Sequence, residues 1–267
     1  MPAAGLETGD WGLTRKDENP QAVPSIMLLA RLIRSKRGNQ TGNFYGMQAE
    51  ESIRWLKEMG ITSATHRTAL DLGCGNGFFG AQLAAAGFDT TFSDEVNFID
   101  ASVPRPLQFV QFDICRDDLA RLGRHDLVIL SNVLEHLPDP DRILRYIPNL
   151  LNPNGVFYLC WTNWLSPYGG HEFTPYHYLG SRMAAWLFER LPEKMLIDRH
   201  RQGHPHTLGK NLFPTYIGRT LKLLRGVEGV EVVDYVPRYY AQLRWLAHVP
   251  MLREFVCWNV AVLIRRL

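Results

Sequence analysis

Hydrophobic and polar positions along the chain change their pattern near residue 68. From there, short apolar runs alternate with stretches of helical periodicity, as in a parallel sheet flanked by helices. Strands are predicted at residues 68–72, 90–93, 108–112, 127–130, 156–161, 230–235 and 256–264. Helices are predicted at residues 78–86, 142–151, 215–224 and 242–252. The pattern therefore predicts an α/β fold with a doubly wound, mostly parallel seven-stranded sheet.

The chain before residue 66 has a different pattern, without predicted strands. Residues 1–20 are polar and irregular, whereas residues 25–37 and 50–59 have the periodicity of helices. The first of these two helices carries a basic end, formed by Arg31, Arg34, Lys36 and Arg37. We therefore predict an N-terminal leader with helices at residues 1–65 and one α/β domain at residues 66–267.

Residues 163–211 interrupt the alternation after the fifth strand. Connections in α/β units usually run about 2 to 6 residues, so this stretch is far longer than a connection requires. It is rich in aromatic residues and contains five of the nine histidines. We expect an inserted lid over the carboxyl ends of the strands, where open α/β sheets bind ligands. An additional packing layer anchored by the aromatic side chains is the alternative.

Composition and charge exclude several classes of protein. The chain has 29 Lys and Arg against 27 Asp and Glu, a net charge of +2, which argues against a broad nucleic-acid-binding face. Its four cysteines have no paired spacing, so neither a disulfide framework nor a C-x-x-C motif is expected. No secretory signal and no transmembrane segment is recognised. We expect a cytoplasmic protein.

A glycine-rich turn follows the first predicted strand. Gly75, Gly77 and Gly80 satisfy the dinucleotide pattern G-x-G-x-x-G, and Asp94 stands 19 residues after Gly75, near the position of the ribose-binding acid. An NAD-dependent oxidoreductase is therefore one alternative. Asp71 precedes the glycines, however, and its carboxylate would repel a pyrophosphate. S-adenosylmethionine carries an ammonium and a sulfonium instead, so the acid favours this cofactor.

These motifs, in this order, resemble the class I S-adenosylmethionine-dependent methyltransferases over residues 45–162 and 212–267. The resemblance implies a Rossmann-like methyltransferase fold. It also implies that the first motif lies along the methionine part of the cofactor, with Ser131 and Asn132 beside it. Asp94 matches the acid that holds the ribose hydroxyls, and Asp113 matches the acid at the adenine. The implied cofactor-binding residues are Asp71, Gly73, Cys74, Gly75, Gly77, Asp94, Glu95, Asp113, Ile114, Ser131 and Asn132.

Segments of the insertion and of the C-terminal part resemble a subset of these enzymes from mycolic-acid bacteria that is linked to envelope glycolipids. The segments are 164–172, 177–180, 237–239 and 249–255. A small-molecule or lipid-linked acceptor is therefore expected, methylated on oxygen. The basic residues of the first helix and the apolar residues 243–252 leave weak peripheral membrane contact open. A methyltransferase fold without activity, serving as an assembly partner, is a third alternative.

Methyl transfer to a hydroxyl needs a group that takes the proton, and histidine suits this role near neutral pH. The candidates are His171, ranked first because Glu172 is its neighbour, His136, at the end of the fourth strand, and His177. A structural role in packing is the alternative for each. His200, His204 and His206 have a spacing that fits a metal, but these residues lie in a polar loop and no acid or cysteine completes a ligand set. No metal is therefore predicted.

Overall fold

The computed structural model describes residues 41–104, 108–191 and 206–267. The predicted helix at residues 25–37, with its basic end, lies outside the described residues. So do His200 and His204. Among the helices within the described ranges, none combines the length and the apolar character that crossing a bilayer requires.

The seven predicted strands are present and form one sheet in the order β3-β2-β1-β4-β5-β7-β6. Strand β7 runs antiparallel to both β5 and β6, and the other pairs are parallel. The predicted doubly wound, mostly parallel sheet is therefore confirmed. The strands are β1 (Thr68–Leu72), β2 (Asp89–Asp94), β3 (Gln108–Gln111), β4 (His125–Ser131), β5 (Leu151–Thr162), β6 (Val230–Pro237) and β7 (Asn259–Arg266).

Helices cover both faces of the sheet because successive strand residues point to opposite faces. Leu70, Val128 and Leu130 belong to the cluster that packs on one face, whereas Ala69 and Ile129 belong to the cluster on the other. The α-helices are α1 (Thr41–Glu58), α2 (Phe78–Ala85), α3 (Pro140–Leu150), α4 (Ser181–Arg190), α5 (Ile217–Leu224), α6 (Trp245–His248) and α7 (Leu252–Val256).

Helix α1 begins nine residues before the predicted start at residue 50. Its buried residues Ala49, Ile53 and Leu56 pack in the same cluster as α2. The ring of Trp55 lies 6.0 Å from that of Tyr158 in the central strand β5. The described part of residues 41–65 is therefore integrated into the core of the α/β fold.

The predicted helix at residues 242–252 is wrong as one continuous element. The structure has a 3-10 turn at Ala241–Leu243 and then the short helices α6 and α7. Pro250 lacks the N–H that a helix interior requires, and it disfavours helical backbone at the residue before it. Met251 has a φ of 64° and breaks the periodicity between the two helices. The last strand accordingly begins at Asn259 and not at residue 256.

The inserted segment, residues 163–211, contains two 3-10 turns, His171–Phe173 and Tyr176–Leu179, followed by α4. Trp164 and Phe173 form a buried cluster with Leu212, the residue that follows the insertion. Leu208 packs against this cluster, which therefore joins the two described parts of the insertion. Phe213 donates a backbone hydrogen bond of 2.8 Å to the carbonyl of Glu135, just beyond the end of β4. The described insertion is thus fixed beside the carboxyl end of β4.

A pair of glycine substitutions tests the packing of α2 on the sheet. A Cβ atom at Gly80 would lie 2.3 Å from Cε1 of the buried Phe92 ring, whereas one at Gly46 in α1 meets no described atom within 4 Å. We expect Gly80→Ala to destabilise the fold by about 1–3 kcal/mol through overpacking. Gly46→Ala should stabilise it by about 0.5–1 kcal/mol. Equal effects of the two variants in urea unfolding would contradict this packing.

Candidate active site

The glycine loop between β1 and α2 lies at the carboxyl edge of the sheet. Gly73, Gly75 and Gly77 have φ values of 72°, 50° and 78°, in the left-handed region that favours glycine. A Cβ at Gly73 would lie 2.5 Å from the side chain of Val133, whereas a Cβ at Gly75 meets no described atom within 4 Å. One side of the loop is therefore packed against β4, and the outer side is open to a ligand.

Asp71, expected to face the ligand, is directed to the first turn of α2. Its Oδ2 accepts a hydrogen bond of 2.7 Å from the backbone N–H of Gly80, one of the N-terminal donors that lack a partner within the helix. The carboxyl is 1% exposed. Burial raises its pKa to about 7, although the Gly80 hydrogen bond acts in the opposite direction. Asp71 thus stabilises the first turn of α2, which directly follows the glycine loop.

Asp94 ends β2 and is bonded to the glycine loop. Its Oδ2 accepts a 2.8 Å hydrogen bond from the N–H of Gly75, and its Oδ1 accepts one of 2.8 Å from the N–H of the exposed Glu95. Burial raises the pKa of Asp94, while these backbone hydrogen bonds act in the opposite direction. Each carboxylate oxygen has a second acceptor site. Asp94 can therefore hold the loop and still accept from a ligand.

The third predicted acid, Asp113, follows β3 at the same edge. Its Oδ1 accepts a hydrogen bond of 2.7 Å from the N–H of Cys115, and Arg116 lies 3.4 Å from its Oδ2. Ile114 is half-buried against the main core cluster, and Cys74 is buried against the ring of Phe92. The structure therefore brings the acids of β1, β2 and β3 to one edge, as predicted.

The residues at the end of β4 connect this edge to α1. Ser131 Oγ accepts a hydrogen bond of 3.2 Å from the thiol of Cys160. Asn132 has a φ of 55°, donates to Oε1 of Gln48 at 3.0 Å and accepts from Asn259 at 2.7 Å. Asn132 is thus held from both sides, by α1 and by the start of β7.

A buried arginine that the sequence analysis missed lies next to this contact. Arg238, 3% exposed, donates to Ser52 Oγ at 3.0 Å and to Gln48 at Oε1 (3.3 Å) and at the backbone carbonyl (3.2 Å). Tyr158 donates to the same Ser52 Oγ at 2.7 Å. Among the described residues, no carboxylate forms an ion pair with Arg238 within 4.0 Å. The network joins α1, β5 and β6, so no local sequence signal reveals it.

Four residues form a cluster beside the end of β4: His136, His171, Glu172 and His206, the histidine cluster. Ring centroids are 4.6 Å apart for His171 and His206, 5.1 Å for His136 and His206 and 5.8 Å for His136 and His171. The Nδ1 of His136 lies 2.7 Å from the carbonyl oxygen of Asn211. Two of the three predicted catalytic histidines are therefore neighbours.

The carboxylate of Glu172 contacts His206, whereas the sequence analysis assigned it to the adjacent His171. Its two oxygens lie 2.9 and 2.8 Å from Nδ1 of His206, and Oε1 also accepts from the His206 backbone N–H at 2.8 Å. Burial alone would raise the pKa of Glu172, but the bonds from His206 outweigh it and lower that pKa. An acid therefore does join the histidines in the folded chain. It is Glu172, which lies 34 positions before His206 in the sequence.

His177, the third predicted catalytic histidine, is fully buried. Its Nε2 lies 3.1 Å from the carbonyl oxygen of Ser166, and its ring packs against Trp164. Burial lowers the pKa of His177. A Cβ at Gly170 would lie 2.4 Å from this ring, so His177 packs directly under the turn that carries His171. This position is that of a supporting residue.

The fold and the acids at one sheet edge define a class I S-adenosylmethionine-dependent methyltransferase. A family model described as a methyltransferase domain matches residues 45–207, and the chain belongs to this family. An uncharacterized methyltransferase of Mycobacterium ulcerans (strain Agy99) is 32% identical over 83% of this chain and 86% of its own length. One from Mycobacterium bovis (strain BCG / Pasteur 1173P2) is 30% identical over 90% of this chain and 93% of its own.

Two solved structures share the fold. A magnesium protoporphyrin IX methyltransferase from Synechocystis PCC 6803, with bound S-adenosylhomocysteine, matches with a TM-score of 0.51 and 16% identity over 85% of this chain and 87% of its own. An S-adenosylmethionine-dependent methyltransferase from Mesorhizobium loti matches with a TM-score of 0.50 and 20% identity, over 75% and 91%. At these identities the two likenesses show the fold alone. With the membership of the methyltransferase family, S-adenosylmethionine is the cofactor that this class uses, and the dinucleotide alternative is not supported. The open face at Gly75 and the acids around it fit a cationic cofactor.

The raised pKa of Asp71 predicts a pH-dependent stability. A carboxyl that titrates near 7 in the folded state and near 3.8 unfolded stabilises the fold fully below pH 4. This contribution, about 4 kcal/mol for a shift of about three pH units, is lost as the pH rises through 7. Relative to Asp71→Asn, which does not ionise and keeps an acceptor for Gly80, the parent should therefore lose stability between pH 4 and 8. Denaturant unfolding at several pH values measures this.

Asp126 provides the matched control at the start of β4. Burial raises its pKa, but hydrogen bonds from Thr68 and Asn152 outweigh this and lower it. Its contribution is therefore complete above pH 4, and Asp126→Asn should shift stability by the same amount at pH 5 and pH 8. A pH-independent difference between the parent and Asp71→Asn would contradict the assignment for Asp71.

Proposed function

We propose that this methyltransferase transfers the methyl group to a hydroxyl oxygen of a small-molecule or lipid-linked acceptor. The observation that carries the proposal is the position of the histidine cluster, which begins four residues after Asn132 at the end of β4. The cofactor supplies a methyl carbon activated by the sulfonium, so the protein contributes orientation and proton transfer. The O–C bond forms as the C–S bond breaks, and the hydroxyl proton passes to the cluster.

We assign the cofactor-binding roles to the strand ends of the first half of the sheet. Asp94 would accept from the ribose hydroxyls with its free lone pairs, while Gly75 provides the open backbone beside it. Asp113 and Ile114 would border the adenine, and Ser131 and Asn132 the methionine part. Asp71 would act through the field of its carboxylate and through the support that it gives to α2.

The base is proposed to lie within the histidine cluster. His171 remains the first candidate, since its ring lies next to both other rings, 4.6 Å from that of His206 and 5.8 Å from that of His136. Glu172 orients His206, the arrangement that commonly holds a catalytic imidazole in one tautomer. His177 is too deeply buried to receive a proton from an acceptor.

An acceptor with an apolar part is favoured by the surface of the inserted segment. Leu179, Met183 and Trp186 are exposed there, at 63%, 47% and 50%. Large exposed apolar side chains on a segment beside an active site are typical of ligand-binding surfaces. We propose that residues 163–211 form a lid on a catalytic domain of residues 66–267, and that a lipid-linked acceptor lies under it.

Substitution of Asp94 tests the cofactor site. Asp94→Ala should weaken the binding of S-adenosylhomocysteine by about 3 kcal/mol, since two hydrogen bonds to a charged group contribute about 1.5 kcal/mol or more each. Isothermal titration calorimetry measures the change. Asp89→Ala is the matched control, because Asp89 is the exposed first residue of the same strand, at the opposite edge. Unchanged affinity of Asp94→Ala would remove Asp94 from the site.

Transfer of a radiolabelled methyl group tests the acceptor proposal. We expect labelling of an alkali-stable methyl ether when the protein and labelled S-adenosylmethionine are added to a mycobacterial lipid extract, with the product identified by mass spectrometry.

His171→Ala should lower turnover by about 100-fold or more, the range for a lost general base, with unchanged cofactor affinity. His66→Ala, at the opposite edge of the sheet, is the control. A labelled nitrogen or carbon atom would contradict O-methylation, and absence of any transfer would favour a silent fold.

A further inference from the structure

The histidine cluster has the donor atoms and the compactness of a metal site. One ring nitrogen from each of His171 and His206 and one carboxylate oxygen of Glu172 lie within 4.8 Å of one another. The three residues come from two segments of the chain, and Glu172 is buried. Three donor groups from two separate segments converge only when both segments fold in one specific arrangement.

The separation of the rings fits ligands of one ion. Zinc binds imidazole nitrogen at about 2.0–2.1 Å, so two rings on one tetrahedral ion have centres about 5 Å apart. The centroids of His171 and His206 are 4.6 Å apart, and their planes are inclined at 61°. Both rings can therefore turn a nitrogen toward one point beside the Glu172 carboxylate. The ring of His136 is stacked on that of His206, with centroids 5.1 Å apart.

Hydrogen bonds and packing contacts hold these three side chains in place. In metal sites, groups next to the ligands have the same role. The backbone N–H of His206 donates to Glu172 Oε1 at 2.8 Å. The turn that carries His171 is held by a hydrogen bond of 3.1 Å from its N–H to the carbonyl of Tyr168 and by the contact of Gly170 with the buried His177. His171 itself has a φ of 48°, an uncommon conformation for histidine, which this packing maintains.

We propose that His171, Glu172 and His206 bind one divalent transition metal ion of the zinc class. Two imidazoles and one carboxylate form a ligand set that leaves a coordination position open, as in catalytic zinc sites. Methyl transfer involves no change of oxidation state, so a redox-inert ion suffices. The role of the ion rests on the proposed function: it would supply a Lewis acid beside the acceptor and lower the pKa of a hydroxyl that reaches the open position. With the ion bound, His171 is a ligand and not the base, and the hydroxyl proton would pass to His136, the histidine of the cluster outside the ligand set.

The alternative is a cluster without metal, in which Glu172 and His206 form a hydrogen-bonded pair and His171 is the base. The two differ in a measurable way, because only the metal site binds Co²⁺ stoichiometrically with the absorption bands of a low-coordinate ion. The full chain, treated with a chelator and dialysed, is titrated with Co²⁺ under visible spectroscopy and then with Zn²⁺ in competition. We expect one ion per chain, displaced by Zn²⁺.

Single substitutions locate the bound ion. His171→Ala, Glu172→Gln and His206→Ala should each weaken binding by about 100-fold or more, since loss of even an outer-shell partner costs 10- to 100-fold. His66→Ala and His248→Ala, outside the cluster, should bind as the parent does. Thermal unfolding and S-adenosylhomocysteine affinity, measured on every variant, separate loss of a ligand from loss of the fold.

Two outcomes overturn the proposal. One is the absence of stoichiometric Co²⁺ binding by a folded chain that binds S-adenosylhomocysteine. The other is binding that the three cluster variants leave unchanged, because the ion is then held elsewhere. Failure of the proposed function would give a different result, namely metal binding without methyl transfer to any hydroxyl. The two failures are therefore distinguishable.

Discussion

The hydrogen bond from the N–H of Gly75 to the carboxylate of Asp94 is the contact on which the geometry of the carboxyl ends of β1 and β2 depends. It joins the tip of the glycine loop to the end of the neighbouring strand, at 2.8 Å. Gly73, Gly75 and Gly77 have left-handed backbone, and within the loop the N–H of Gly77 donates to the carbonyl of Cys74 at 2.8 Å. The parallel register of β1 and β2, in which Leu72 pairs with Ser93, brings the two groups together. Sheet register and loop geometry therefore determine each other here.

A second constraint closes the same edge from the side of α1. The buried guanidinium of Arg238 bonds Gln48 and Ser52, and Gln48 in turn accepts from Asn132. A buried charge is costly unless it is fully hydrogen-bonded, and these bonds require α1, β4 and β6 to take one relative position. The network thus selects one relative position of these elements around Asn132. Apolar packing alone is not directional and would not select it.

The sequence predicts those features that depend on local periodicity. The strands could be predicted because successive residues, such as Val128 and Ile129, face the two apolar clusters on opposite sides of the sheet. Each strand is therefore a continuously hydrophobic run. The acids at the strand ends came from motifs: Asp71 and Asp94 from their spacing to the glycines, and Asp113 from the resemblance to the methyltransferase family. Residues 242–252 look helical by composition, but Pro250 overrides that periodicity. Local pattern is reliable only where no backbone restriction opposes it.

Contacts between distant segments could not be predicted in this way. Glu172 and His206 are 34 positions apart, and Arg238 and Gln48 are 190 apart. The position of Glu172 next to His171 suggested a pair, yet adjacent residues in a turn point in different directions. The carboxylate instead meets a histidine that returns from the far end of the insertion. Such pairs depend on the path of the chain, which a single sequence does not specify.

The segment after β4 connects the two halves of the site. Asn132 is held at the cofactor edge, and Glu135 accepts from the N–H of Thr162 at 3.0 Å and from the N–H of Phe213 at 2.8 Å. His136 follows immediately and touches both other histidines of the cluster. A movement of the insertion therefore acts on Glu135 and, within three residues, on Asn132. This short covalent path physically connects the region of the histidine cluster with Asn132 at the end of β4.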